Sequence, residues 1–210
     1  MLEIFSDIEQ GTDAWRQARC GIVTASMLKT VRANGKGGGE SITRRKYMYA
    51  LAGERITGEP AETFNNRHMD RGRAFEPDAR RFYEFINDCE CQQIGFIRNG
   101  DKGCSPDSLI GDAGMLEIKS ALPSILVELI LKDEFPPEHK AQTQGQLWIA
   151  ERDWVDLQIF WPGMPPLIKR AYRDSQYIAD LATAVDQFNA ELAEVVERIK
   201  SYGLREQEAA

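Results

Sequence analysis

A chain of 210 residues, 42% hydrophobic and 28% charged, fits one globular domain with a sizeable core. No apolar run nears the ~20 residues needed to cross a bilayer. Residues 1–10 carry Glu3, Asp7 and Glu9 without a basic stretch, so no secretory signal is expected and a cytoplasmic location is. The net charge of −7 is unevenly spread: residues 16–81 hold a net of +7 and residues 82–210 a net of −10. A basic N-terminal third is compatible with a polyanionic partner, and equally with chance clustering on solvated helix faces. The four cysteines, Cys20, Cys89, Cys91 and Cys104, form no Cys-x-x-Cys pair, and there are two histidines. That pattern does not suit zinc, so any metal is expected to be a hard cation held by carboxylate oxygens.

Two short helices are expected near residues 12–19 and 24–33, with Thr12 and Thr24 as N-caps. Gly35 to Gly39 reads as a loop in which Lys36 is available to a phosphate. Residues 43–57 read as a helix capped by Ser41 or Thr43, and residues 66–87 as a longer one. The apolar stripe of the longer helix is Phe75, Ala79, Phe82 and Ile86, with Pro77 either kinking it or starting a new helix. Strands are expected at 91–98, 104–110, 114–120 and 154–161, with turns at Asn99-Gly100 and Gly111-Asp112. Helices near 123–132 and 137–150 separate the last two strands, and 166–173 reads as an edge strand. A final helix spans about 174–200 on a stripe of Ile178, Leu181, Val185, Phe188, Leu192, Val195 and Ile199. The fold class is therefore α/β, a mixed central sheet flanked by helices, as a single domain over 1–210. Its parts are a basic helical region at about 12–89, a sheet core at about 90–173 and the C-terminal helix.

The segment with most chemical content is Ser105-Pro106-Asp107, followed after nine intervening residues by Glu117-Ile118-Lys119. Side chains alternate along a strand, so Glu117 and Lys119 share a face and Ile118 points into the core. The turn at Gly111-Asp112 folds Asp107 back beside Glu117. Two carboxylates, the Ile118 backbone carbonyl and a neighbouring ammonium suit a hard cation and a bound water, the requirements of phosphodiester hydrolysis. A surface Glu–Lys pair on an exposed strand is the plainer alternative.

These residues resemble the signature of the PD-(D/E)xK nucleases. The resemblance extends to the phage lambda-type (alkaline) exonucleases, also described as YqaJ-like viral recombinases, and spans the chain from Trp15 to the C-terminal helix. Four stretches carry it: Trp15 to Arg19 with Gly21 to Ser26, Gly72 to Glu76 with Ala79-Arg80, Cys104 to Asp107 with Glu117 to Lys119, and Ala141 to Gln144 with Leu147-Trp148. It implies a restriction-endonuclease-like core with Asp107, Glu117 and the Ile118 carbonyl as metal ligands. Lys119 would act on the nucleophilic water, and Glu76 would stand on a helix beside the metal; a solvated Glu76 paired with Arg73 or Arg80 is the alternative. Arg19, Ser26, Ser105 and Gln142 would bind a 5′-terminal phosphate, although Ser26 as a helix cap and Gln142 as a surface amide are equally simple readings. Met69 would be a wedge that splits the duplex. The resemblance further implies magnesium, with manganese as substitute, and processive 5′→3′ digestion of double-stranded DNA ends, leaving a 3′ single strand for recombination. It also implies a homotrimeric ring, a single-strand annealing protein as partner, no membrane, and a bacterial host cell. The rivals are an endonuclease or resolvase of the same fold and a DNA-binding assembly module without catalysis.

Overall fold

The computed structural model describes residues 1–35, 37, 39, 41–61 and 67–202, with the side chains of 67–69 excluded. Lys36 and the segment 205–210 lie outside the described residues, and so does the Met69 side chain. The elements run β1 (Leu2–Phe5), α1 (Asp13–Arg19), β2 (Val23–Thr24), a 3-10 turn (Ala25–Met27), α2 (Leu28–Val31), α3 (Ile42–Thr57) and α4 (Arg67–Asn87). Then follow β3 (Phe96–Asn99), β4 (Lys102–Cys104), β5 (Ser108–Ile110), β6 (Gly114–Ser120) and α5 (Pro123–Lys132). After a 3-10 turn (Pro137–His139) come α6 (Lys140–Ala150), β7 (Trp154–Phe160), β8 (Leu167–Tyr172) and α7 (Ser175–Lys200).

The expected single sheet is two four-stranded sheets, ordered β1-β3-β4-β2 and β5-β6-β7-β8. The division falls inside the expected strand 104–110, because Ser105-Pro106-Asp107 leaves the ladder between β4 and β5. Pro106 has no N–H to give to one. Gln10 pins this crossing by donating from one amide nitrogen to the carbonyls of Ile94 and Pro106, each at 3.0 Å. β1 had no counterpart in the sequence reading: it alternates weakly and is mostly outside the core. The 24–33 helix breaks into the end of β2, the 3-10 turn and α2, and Thr24 makes no side-chain cap. Thr12 and Ser41 do cap α1 and α3, accepting from the Trp15 and Arg44 amides.

In the second sheet β6 pairs antiparallel with β5 and parallel with β7, aligning Glu117 with Leu157 and Lys119 with Ile159. One face carries Met115, Glu117, Val155, Leu157 and Ile159. Met115 and Val155 join the main core with Leu147 and Ile149 of α6, while Leu157 and Ile159 pack on Leu126 of α5. The opposite face meets α4. Tyr83 donates to Asp156, Gln158 donates to the Ala79 carbonyl at 3.1 Å, and Leu116 packs on Tyr83. Helices on both faces thus make β6 and β7 central strands. The stripe of α7 buries Leu181, Val185, Phe188 and Leu192 in the main core, mostly against α3; Ile178 is buried outside that cluster and Ile199 is exposed.

α4 runs through Pro77 as one helix. Its expected stripe is displaced: Ala79, Arg80 and Tyr83 are buried, whereas Phe82 and Ile86 are exposed. Tyr83 lies deeper than either because its hydroxyl reaches Asp156, which is 2% exposed and is gripped on its other side by the Arg170 fork at 2.8 Å. Burial and this carboxylate push the Tyr83 hydroxyl far above its usual range, so it remains a donor. Tyr83→Phe removes a hydrogen bond to a buried charge and is expected to cost about 1.5–3 kcal/mol in urea unfolding. An unchanged unfolding midpoint would mean that this tie between α4 and β7 contributes nothing.

Candidate active site

Asp107 lies just before β5, opposite the middle of β6. Its backbone N–H donates to the Leu116 carbonyl at 3.1 Å, and its carboxylate accepts from the Ile118 N–H at 2.5 Å. The carboxylate therefore stands where the next residue of β5 would have been. A strand residue directs its N–H and C=O to the same edge, so the Ile118 carbonyl faces this same open edge. The hairpin that makes the approach closes through Gly111, whose φ of +51° favours glycine.

Glu117 is 3% exposed. Its Oε1 accepts from the Lys119 ammonium at 2.6 Å and from the Gln142 amide at 2.5 Å, and its Oε2 accepts from the buried Gln146 amide. Both amides come from α6, one turn apart. Gly145 lets that helix press against the 3-10 turn and α2, since a Cβ there would lie 2.2 Å from Leu28 Cδ1. Burial pushes the Asp107 carboxyl well above its ordinary pKa, and the charges of Glu117 and Glu76 push it the same way; Lys119 and the Ile118 N–H oppose them. Burial alone would lower the Lys119 pKa, but Glu117 and Asp107 outweigh it and the ammonium holds its proton more tightly than usual.

Glu76, on α4, is paired with Arg80. Arg80 is buried and ties the helix to the carboxylate loop, donating to Ser108 Oγ at 3.0 Å and to the Asp107 carbonyl at 3.4 Å. Glu76 and Asp107 line one cleft of about 530 Å³ with Gln10, Trp15 and Arg73. On the other side of Asp107 lies a recess of about 210 Å³ that brings Arg19, Ser26, Ser105 and Gln142 into the same wall as Asp107, Glu117 and Lys119. Arg19 donates to Ser105 Oγ at 3.3 Å and stacks on Trp15, 4.1 Å from the ring centroid. The Trp15 indole N–H reaches Ser105 Oγ at 2.9 Å and the Gly95 carbonyl at 3.0 Å. Ser26 is exposed, with its hydroxyl 3.3 Å from that of Thr24, and does not cap a helix. Gln142 is no surface amide.

All the expected site residues except Met69 thus have described side chains, and they converge on Asp107. Sequence reasoning assigned nothing to Gln10 and Gln146. A lone Gln ahead of α1 carries no signal, whereas the i, i+4 spacing of Gln142 and Gln146 was visible. Among the described residues no three His, Cys, Asp or Glu side chains by themselves form a metal cluster. The donor set available to a cation is two carboxylates, a strand carbonyl and open edge. It fits a hard ion that keeps some of its waters, and the mutual repulsion of Asp107, Glu117 and Glu76 is what such an ion would relieve.

The chain matches the model of the YqaJ-like viral recombinase domain over residues 14–153. It is similar to the crystal structure of an alkaline exonuclease from Laribacter hongkongensis at 31% identity, with a TM-score of 0.82 over 92% of this chain and 99% of that one. The same enzyme in complex with dAMP gives a TM-score of 0.83 at the same identity and coverage. A phage-related exonuclease from Haemophilus somnus 129PT shares the fold at 13% identity, with a TM-score of 0.65 over 85% of this chain and 96% of that one. No curated protein sequence matches.

A carboxylate with a raised pKa in the fold keeps its proton while the unfolded one has lost it. Stability is therefore lost as pH rises from the unfolded value of ~3.9 through the folded one. Asp107→Asn removes this loss and retains an acceptor for the Ile118 N–H. In EDTA at neutral pH it is expected to melt about 2–4 °C higher, the effect of ~1 kcal/mol in a chain of this size. The gain should shrink towards pH 4; a gain independent of pH would refute the electrostatic cause.

Proposed function

Given that this chain belongs to the family of YqaJ-like viral recombinase domains, we propose that it is a recombination nuclease. It digests the 5′-ended strand of double-stranded DNA by metal-assisted hydrolysis, acting as one domain over its whole length. The observation that carries this reading is the shared wall between the Arg19 recess and the Asp107–Glu117 pair. A terminal phosphate bound by Arg19, Ser26, Ser105 and Gln142 sets the next phosphodiester at the two carboxylates. An endonuclease has no need of such a recess. The binding of dAMP by the Laribacter enzyme adds support, since a deoxynucleoside monophosphate is what such digestion releases.

In this reading Asp107, Glu117 and the Ile118 carbonyl would hold a divalent cation, magnesium or manganese in its place, which would supply Lewis acidity to the phosphate and to a bound water. Lys119 keeps its proton at Nζ, orients that water and favours hydroxide beside it. Arg19 presents a guanidinium fork to the terminal phosphate, and its stacking on Trp15 limits the positions the fork can take. Glu76, steered by Arg80, contributes negative charge on the cleft side. The homotrimeric ring, the annealing partner and processivity belong to this reading through the family alone, and a trimer's mass in light scattering checks the first. No described helix is long and apolar enough to span a membrane.

The deciding experiment supplies linear duplex DNA with a 5′-phosphate at one end, in magnesium and in EDTA. The expected result is magnesium-dependent loss of the 5′-phosphorylated strand with its complement intact. Internal nicks would favour the endonuclease, and no cleavage the binding module. Arg19→Ala should reduce the preference for the phosphorylated end by about 10- to 100-fold, the worth of a charge-assisted hydrogen bond. Lys119→Ala should fold normally by circular dichroism and lose about 10²–10⁴-fold in turnover. Unchanged turnover would remove Lys119 from the chemistry.

A further inference from the structure

Gln146 is 1% exposed and sits on α6 four residues after Gln142, so both amides leave the helix on one face. They reach the same carboxylate but not the same oxygen. Gln142, half-buried, shares Glu117 Oε1 with Lys119; Gln146, buried, is the one donor to Oε2 among the described residues. We propose that Gln146 is a positioning residue for Glu117: it holds Oε2 back towards α6 and so presents Oε1 to the cavity. This rests on the nuclease reading and adds a residue that the reading did not use.

The residue type argues for it. A buried carboxylate that is to meet a cation must be oriented and hydrogen-bonded without being neutralised. Lys or Arg at this position would pair with Glu117 and compete with the cation. Leu or Met would leave Oε2 without a donor and the carboxylate free to turn. A neutral amide donates and adds no charge. It does so at a cost to the fold, because Gln146 Oε1 is buried and has no hydrogen-bond partner among the described residues. Packing alone would favour an apolar side chain of this volume. The polar group is explained by what its N–H does for Glu117.

Calorimetric titration of Mn²⁺ into the full chain, unsubstituted and as Gln146→Met, tests this. The variant is expected to bind Mn²⁺ about 10- to 100-fold more weakly, the usual consequence of losing a group that orients a metal ligand. Its thermal midpoint should shift little, because removing the orphan acceptor offsets the loss of the donor to the buried Glu117 Oε2. Binding of a 5′-phosphorylated duplex in EDTA, read by fluorescence anisotropy, should not change. Unchanged Mn²⁺ affinity overturns the proposal. So does a loss accompanied by an equal loss of duplex binding and a lower midpoint, which would mean a purely structural role. If Gln146→Met does not fold, Gln146→Asn, which withdraws the amide by one methylene, carries the same comparison. If the unsubstituted protein takes up no Mn²⁺, the nuclease reading itself fails, and the same titration separates that outcome from failure of the Gln146 assignment.

Discussion

Two carboxylates, Asp107 and Glu117, line one recess, largely withdrawn from solvent, and their mutual repulsion would expel one of them if nothing opposed it. The opposing groups come from all sides. Lys119 and the two α6 amides hold Glu117, while the Ile118 N–H holds Asp107. Only one of the four donors is a full charge. The others are dipoles, which fix positions and leave the pair electronegative. A pair that had to be stable for its own sake would be matched by cations of equal number. This one is left short of a cation, which is what the proposed metal ion would supply.

The division of the sheet follows from the same demand. Had 104–110 continued as one strand in the β5–β6 register, the Pro106 carbonyl, and not the Asp107 carboxylate, would have met the Ile118 N–H. Pro106 and the Gln10 clamp take the chain out of the ladder, so that the carboxylate replaces a backbone carbonyl as acceptor for Ile118. The interruption also leaves the last part of β6 with β7 as its one neighbouring strand among the described residues. An open edge is normally a liability. Here it lies beside Asp107 and is overlooked by α4, where a Cβ on Gly72 would come within 3.7 Å of Ser120 Oγ.

Much of this was legible in the sequence, for physical reasons. Pro-Asp, the glycine turn and Glu-x-Lys are local signals, and alternation on one strand put Glu117 and Lys119 on one face without tertiary information. The bounds of β6 and α5 match the expected 114–120 and 123–132, and the long α7 helix follows from its sustained three-four stripe. What failed was non-local. The break at 105–107 is held by Gln10, 96 residues before Pro106 in sequence. The buried face of α4 turns on Tyr83 meeting Asp156, a polar pair that a hydrophobic stripe cannot register. The exposed Phe82 and Ile86 counted towards a stripe that the polar pair overrode.

α4 shows how these distant contacts reach the site. Glu76 and Tyr83 are seven residues apart, so the helix presents them on one face, with Ala79 and Arg80 between them. Tyr83 and the Gln158–Ala79 bond fasten one end to β7, and Arg80 fastens the next turn to Ser108 and the Asp107 carbonyl. A proline within the helix removes one backbone bond and weakens the turn before it. With Pro77 directly after Glu76, that weakness falls where the carboxylate is carried. The position of Glu76 is thus set less by the helix itself than by Arg80 and Tyr83. Changes at Tyr83 or Asp156, which do not line the cleft, would therefore reach Glu76 on its cleft side through the C-terminal half of α4.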